Sequence, residues 1–585
     1  MTTRRPEVEV ALQKILAGKR AADLETATLD FKEDKASPGD TERLVAEACI
    51  CFANAAGGTV VLGVADKQSG KTAFSGTTLT PDRIRQRVFE LTRPHLTVSA
   101  ERHPDHPSLV LVEVPQSSDI HSDTQGRAFR RINLDCLPMT PDQQARLREE
   151  RRGIDWSAQP SDRSVSDIPV DTLSATRRVL RAFTDERRQL ASLGDIDMLT
   201  SLGALSSRAE LNRAGALMFC SPDGTSATGA VVYQYRATPG GEPQIVQRLE
   251  SPLILTFGRL MELIAARQSL TPLTLPNGQQ ITIEDFPSLA VREAVSNAIC
   301  HRDYHLPQQI LIDHSPPVFK VTSPGPLVAG VTANNIITTI PRPRNPMLAK
   351  LSRNLGLAEE LGRGVDRMYR EMIRSGRQIP QIDADFDTVR VTLVGGAPNT
   401  SIARFIAQLP EEEGEDTDTM LILFRLCTER TISAVTGAPW LQKSEQETAV
   451  ILRRLADDRV GLLERTRATS GRSNPTYRLR GSALQGMGSA VQYNRRATDE
   501  IDRKVIAHVR EYGRITNRTL QNFLDVGVFK ARDLIADLVQ REILVRISEQ
   551  QRGPKVEWGP GPKFPAAKPA KRRAARSRID SEGTE

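Results

Sequence analysis

Nothing in the 585-residue chain approaches the run of roughly 18 apolar residues that a membrane-spanning helix requires. Its first residues, MTTRRPEVEV, lack the apolar stretch of a secretory signal. A membrane partner is therefore not expected, and the expected compartment is the cytoplasm. The six cysteines (Cys49, Cys51, Cys136, Cys220, Cys300 and Cys427) include no CxxC pair for zinc and are too scattered for a disulfide framework, so reduced core thiols are expected. A large excess of either charge is also lacking, with 79 Lys and Arg against 72 Asp and Glu. A net charge of +7 and a pI near 9.1 favour a polyanionic partner only where the cations concentrate. One such place is the tail, where Lys563, Lys568, Lys571, Arg572, Arg573, Arg576 and Arg578 lie among Pro, Ala and Gly; it reads either as a non-specific DNA tether or as a solubilising end.

What is present is ordinary soluble composition, 39% hydrophobic and 26% charged, on a chain too long for one core. The expected fold class is multidomain α+β. An α+β unit occupies 1–152 and ends at the linker SAQPSDRSVSD; a connector of helices and strands, with AGALMFC and ATGAVVYQYRA as candidate strands, spans 153–249. A helix, strand, loop and helix pattern fills 250–398, and the acidic PEEEGEDTD follows. Two patterns of short helices closed by a hairpin then occupy 416–482 and 497–560, before a basic tail at 561–585.

In the first unit, LETATLDFKED precedes a helix for which Asp40 is the expected cap, and this helix ends in CFANAAGGTVVLGVAD. With the later RAFRRINLDCLPMT, these strings resemble the AlbA-type domain shared with Schlafen proteins. The resemblance implies nucleic-acid binding, with Lys32, Arg130 and Arg131 as the cationic contacts and DNA or RNA as the partner. Gly63 inside the strand reads as a close backbone approach, for which a phosphate is one candidate. Some Schlafen relatives cleave RNA with clustered carboxylates, and Glu25, Asp30 and Asp66 fall where that cluster would lie. Three carboxylates can hold a divalent metal that activates water, although Asp30 and Ala65 depart from the family pattern.

The centre carries FPSLAVREAVSNAICHRDY, in which Glu293 and Asn297, four residues apart, share one helix face. It is followed by SPGPL at 323–327, RPRNP at 342–346 and GLAEELGRGVDRM at 356–368. Together these resemble the GHKL ATP-binding domain, an α/β sandwich, in the divergent form joined to AlbA-type domains in bacterial transcriptional regulators. The resemblance implies ATP and Mg²⁺ as cofactors, Asn297 as the metal ligand and Glu293 as the group that orients or deprotonates water. Gly325 would let the chain pass close to the base, and Gly362 and Gly364 would open a helix onto phosphate oxygens. The family's adenine-reading Asp is Ser323 here, which puts adenine selectivity in question. The alternative to an ATPase is a domain that keeps the fold without hydrolysis, as a ligand sensor or dimerisation platform. His301, Arg302 and Asp303 read either as phosphate contacts or as a helix-end network.

Helix spacing followed by a two-strand hairpin gives each C-terminal pattern the order of a winged helix. Lys443, Arg467 and Arg472 are the nucleic-acid contacts expected of the first copy, and Lys530 and Arg532 those of the second. Tandem winged helices commonly use one copy for dimerisation, so a homo-oligomer is expected. The leading expectation is a nucleotide-responsive, DNA-binding transcriptional regulator. Its rival is a metal-dependent, Schlafen-like RNA or DNA nuclease gated by nucleotide.

Overall fold

The computed structural model describes residues 6–132, 134–206, 210–222, 231–358, 364–385, 387–466, 469, 471–491, 502, 504–524, 528–550 and 556–565. The chain divides into two compact units, Met1–Phe424 with Ile432–Arg480, and Arg425–Thr431 with Gly481–Glu585. No helix among the described residues is long and apolar enough to cross a membrane.

The first long helix, Pro38–Ala53, starts where Ser37 takes up extended backbone and its hydroxyl accepts the Asp40 N–H at 3.2 Å, with proline pre-set in the first turn. The cap is thus Ser37, and Asp40 sits in the first turn, where its charge favours the helix dipole. Val45, Cys49 and Phe52 recur on the face that packs on a four-stranded sheet. The spatial order is Leu29–Lys32, Gly58–Leu62, Val110–Val114, Ser99–Arg102, with the first pair parallel and the others antiparallel. The close approach expected at Gly63 is made by the chain itself: Gly76 donates to its carbonyl at 2.9 Å, and a β-carbon at Gly63 would stand 3.0 Å from the Gly76 Cα. Cys51 and Cys136, expected as reduced thiols, form a disulfide between this helix and the strand Asp135–Pro138; the other four cysteines are free and buried.

The segment 153–249 shares its interior with the centre. AGALMF lies in the helix Arg213–Phe219 rather than in a strand, with the Asn212 side chain capping its start by accepting from Gly215 N–H at 2.8 Å and Cys220 just past its end. Strands Ile245–Leu249 and Val231–Tyr235 form one side of a six-stranded sheet that continues through Ile310–Ser315, Val318–Pro324, Thr388–Val394 and Gln381–Ala384. Leu199, Met218, Phe257, Val291, Phe319 and Met372 belong to one continuous core. Within it, helix Ser288–His301 packs against Val318–Pro324 and against helix Gly364–Arg374.

Beyond the sheet, helices Thr417–Thr428, Ala434–Leu441 and Glu445–Ala456 lead into the hairpin Leu463–Arg465 and Tyr477–Leu479. In the second unit, helices at 504–512, Asn517–Leu524 and Val528–Gln540 close over Val505, Val509, Leu520 and Leu538. A three-stranded sheet there runs in the order Ile515–Thr516, Glu557–Pro560, Leu544–Arg546.

Candidate functional site

Four-residue steps along Ser288–His301 turn Glu293, Asn297 and His301 to one side of the helix. That side, the end of strand Val318–Pro324 and the start of helix Gly364–Arg374 enclose a cavity of about 190 Å³, whose walls include Glu293, Asn297, His301, Ser323, Gly325 and Gly364. Residues far apart in the chain, singled out from motifs alone, thus meet at one place; Gly362 lies outside the described residues. Glu293 is buried directly against Gly364, where a β-carbon would overlap its carboxylate, so this position takes only glycine. Asn297 is half-buried, and its side-chain amide has no hydrogen-bond partner among the described residues. Burial and the neighbouring Arg344 push the His301 imidazole down to about 4, so it faces the cavity as a neutral ring at neutral pH.

Ser323 donates its hydroxyl to the Ala298 carbonyl at 2.9 Å, which ties the strand to the helix and engages the one proton that it could donate to a ligand. Gly325 has φ +101, and a β-carbon there would stand 2.6 Å from the Asp303 β-carbon. The close approach that demands glycine is therefore to the HRDY turn, although Gly325 also lines the cavity. HRDY itself is a helix-end network. The fully buried Arg302 donates to the carbonyls of Leu306 (3.0 Å) and Gln308 (2.6 Å) and lies over the Tyr304 ring. Burial works to raise the Asp303 carboxyl, but the His305 hydrogen bond and the charges of Arg344 and Arg146 outweigh it and hold it below the usual carboxylate range. From the RPRNP motif, Asn345 donates to the carbonyls of Cys300 (3.0 Å) and Arg302 (2.9 Å), satisfying the end of the same helix. Between Gly325 and Asn345 the chain crosses the cavity and contributes Val328, Ile336, Ile340 and Arg342 to its wall. Of these only Arg342 belongs to a motif, RPRNP, and no periodicity marks the stretch 328–341.

The N-terminal candidates are placed differently from expectation. Arg131 is buried, 3.6 Å from Asp30, donating to the Thr26 carbonyl at 3.1 Å and lying over the Phe52 ring. Its neighbour Arg130 is buried too. Successive strand residues face opposite ways, so both faces of Phe129–Ile132 are covered here and neither arginine is offered on an open surface. Lys32, partly exposed, pairs with Asp30 at 2.7 Å. Glu25 meets Asp30, and its carboxyl is pushed up to about 7 by burial and by that neighbouring acid. Asp66 is half-buried, and no group of three or more His, Cys, Asp or Glu side chains among the described residues could hold a metal ion. Among the described residues the three-carboxylate cluster expected of Glu25, Asp30 and Asp66 is therefore not assembled: Glu25 and Asp30 meet, and Asp30 pairs instead with Lys32 and lies 3.6 Å from Arg131.

Of the C-terminal candidates, Lys443 is paired with Asp418, and Arg472 is exposed between the hairpin strands. Arg532 is exposed and lies over the Phe529 ring. Arg467, the Lys530 side chain and the basic run beyond residue 565 lie outside the described residues.

The family model described as "Schlafen, AlbA_2" matches residues 25–140, and the one described as "Putative ATP-dependent DNA helicase recG C-terminal" matches residues 308–393. The chain carries a Schlafen/AlbA_2 domain and an ATPase-type domain, a pairing that suggests a nucleic-acid-related, ATP-binding protein. No curated protein matches it. Among solved structures it is similar to the DIP2311 protein from Corynebacterium diphtheriae, at 24% identity over 82% of this chain and 98% of that one, with a TM-score of 0.50. That likeness concerns the fold alone.

Proposed function

We propose that this chain is a nucleotide-responsive, DNA-binding transcriptional regulator that binds ATP with Mg²⁺ in its central cavity. The observation that carries the reading is the convergence on one cavity of Gly364, inside the residues 308–393 that match the ATPase-type family model, with Glu293 and Asn297, which precede them. The residues present fit such a ligand. The Asn297 amide faces the cavity without a hydrogen-bond partner among the described residues, and Gly364 of helix Gly364–Arg374 lines the same cavity. When bound, Mg²⁺ supplies charge neutralisation for the phosphates. Asn297 would hold it through its side-chain oxygen, Gly364 would admit the phosphates to the helix N-terminus, and Glu293 would orient water for any hydrolysis. The tight contact of Glu293 with Gly364 fixes that carboxylate in the cavity wall.

For DNA, the three-helix and hairpin modules supply the winged-helix reading, and the exposed Arg472 supports a backbone contact from the first hairpin. Calorimetry of the full chain with MgATP tests the central claim. Asn297→Ala should abolish Mg²⁺-dependent binding, whereas Glu293→Gln should keep binding and lose any turnover. Equal MgATP affinity in wild type and Asn297→Ala would remove Asn297 from the site, and absence of binding in wild type would end the nucleotide reading.

A further inference from the structure

The loop across the cavity has two faces. Val331, Ile336, Thr339 and Ile340 look into the cavity. Residues interleaved with them bond to a single residue of the first C-terminal module. Ile337 N–H donates to Gln442 Oε1, Gln442 Nε2 donates to the Ala333 carbonyl, and the Thr338 hydroxyl donates to the Gln442 carbonyl, each at 2.9 Å. Gln442 ends the helix Ala434–Leu441 in left-handed backbone, φ +55, a conformation that favours glycine. Two residues later Ser444 caps the helix Glu445–Ala456, and between them Lys443 pairs with Asp418 of the helix Thr417–Thr428. The turn between the second and third helices is thus held by the loop on one side and by the first helix on the other.

We propose that Gln442 is the coupling contact through which occupancy of the cavity reaches the helix pair Ala434–Leu441 and Glu445–Ala456. The proposal rests on the reading of the cavity as a nucleotide site. A ligand that presses on Ile336 and Ile340 shifts the backbone carrying the Ile337 donor and the Ala333 acceptor. Because the bonds converge on one residue, the turn either follows that shift or releases the loop. Either response changes how the third helix is presented, and linkage makes the influence mutual: whatever binds that helix alters ligand affinity by the same factor. At a position where glycine would be at ease, the glutamine's side-chain amide supplies both a donor and an acceptor to the loop.

Hydrogen exchange of the full chain with and without MgATP tests this. In wild type, MgATP should change exchange both in the loop 326–340 and in the amides of 437–447, by about fivefold or more in each. Gln442→Gly suits the observed φ and keeps the carbonyl that Thr338 uses, while removing both side-chain bonds; Gln442→Asn tolerates the same backbone but is too short to reach. Both variants should keep the loop response and lose the response at 437–447. A wild-type response confined to the loop, or an unchanged response at 437–447 in both variants, overturns the coupling while leaving the nucleotide site standing. No response anywhere in wild type overturns the nucleotide reading and the coupling with it.

Discussion

Asn54 lies in the ANAAGG string, and its surroundings give it a structural task. It is fully buried; its Nδ2 donates to the carbonyls of His121 (2.7 Å) and Phe129 (2.8 Å), and its Oδ1 accepts from His121 N–H at 2.8 Å. One amide thereby joins the end of helix Pro38–Ala53 to two segments some 70 residues further on. Asn54→Ala strands two carbonyls and one N–H in a dry interior, at about 1 to 3 kcal/mol each. Because these bonds share one side chain and the site relaxes, the combined loss is roughly 3 to 5 kcal/mol, below the plain upper sum. Each 1.4 kcal/mol is about tenfold, so amides of strand Gly58–Leu62 and of the helix should exchange at least about a hundredfold faster. MgATP affinity should be unchanged, since Asn54 lines no part of the central cavity. Acceleration of less than about tenfold would refute the claim that these bonds hold the domain together.

Glu25 should give this domain a pH signature. Its folded-state carboxyl near 7 lies above the ordinary 4.5, so the folded protein holds the proton more tightly than the unfolded one. The stabilisation is complete below about pH 4.5 and is lost as pH rises through 7. Glu25→Gln should therefore raise the melting temperature at pH 8 relative to wild type and change it little at pH 4.5; an equal effect at both would sink the assignment. With Ser323 engaged to Ala298, the centre should discriminate weakly between ATP and GTP, whereas an ATP preference above about a hundredfold in calorimetry would mean that another group reads the base. Arg472→Ala should weaken DNA binding and reduce the slope of log affinity against log salt by about 0.9, as loss of one phosphate contact does; an unchanged slope removes this hairpin from the interface.

The sequence by itself determined whatever depends on near neighbours along the chain. Four-residue spacing placed Glu293 and Asn297 on one helix face, and the order of helices and hairpin strands in the C-terminal modules followed from periodicity. Motif resemblance located the N-terminal and central domains that the family models match. Tertiary structure decided everything that rests on distant pairing. Strands Val231–Tyr235 and Ile245–Leu249 join the central sheet because Val231–Tyr235 pairs in parallel with Ile310–Ser315, a choice that no local pattern encodes. Arg130 and Arg131 look like surface cations in a list of residues, but packing covers both faces of their strand and turns Arg131 into the counter-ion of Asp30. Cys51 and Cys136 meet only when the strand Asp135–Pro138 is laid near the helix Pro38–Ala53. Gln442 reaches the cavity loop across more than 100 residues of sequence, and its role rests on three directional bonds whose partners have no period, charge pattern or motif to announce them.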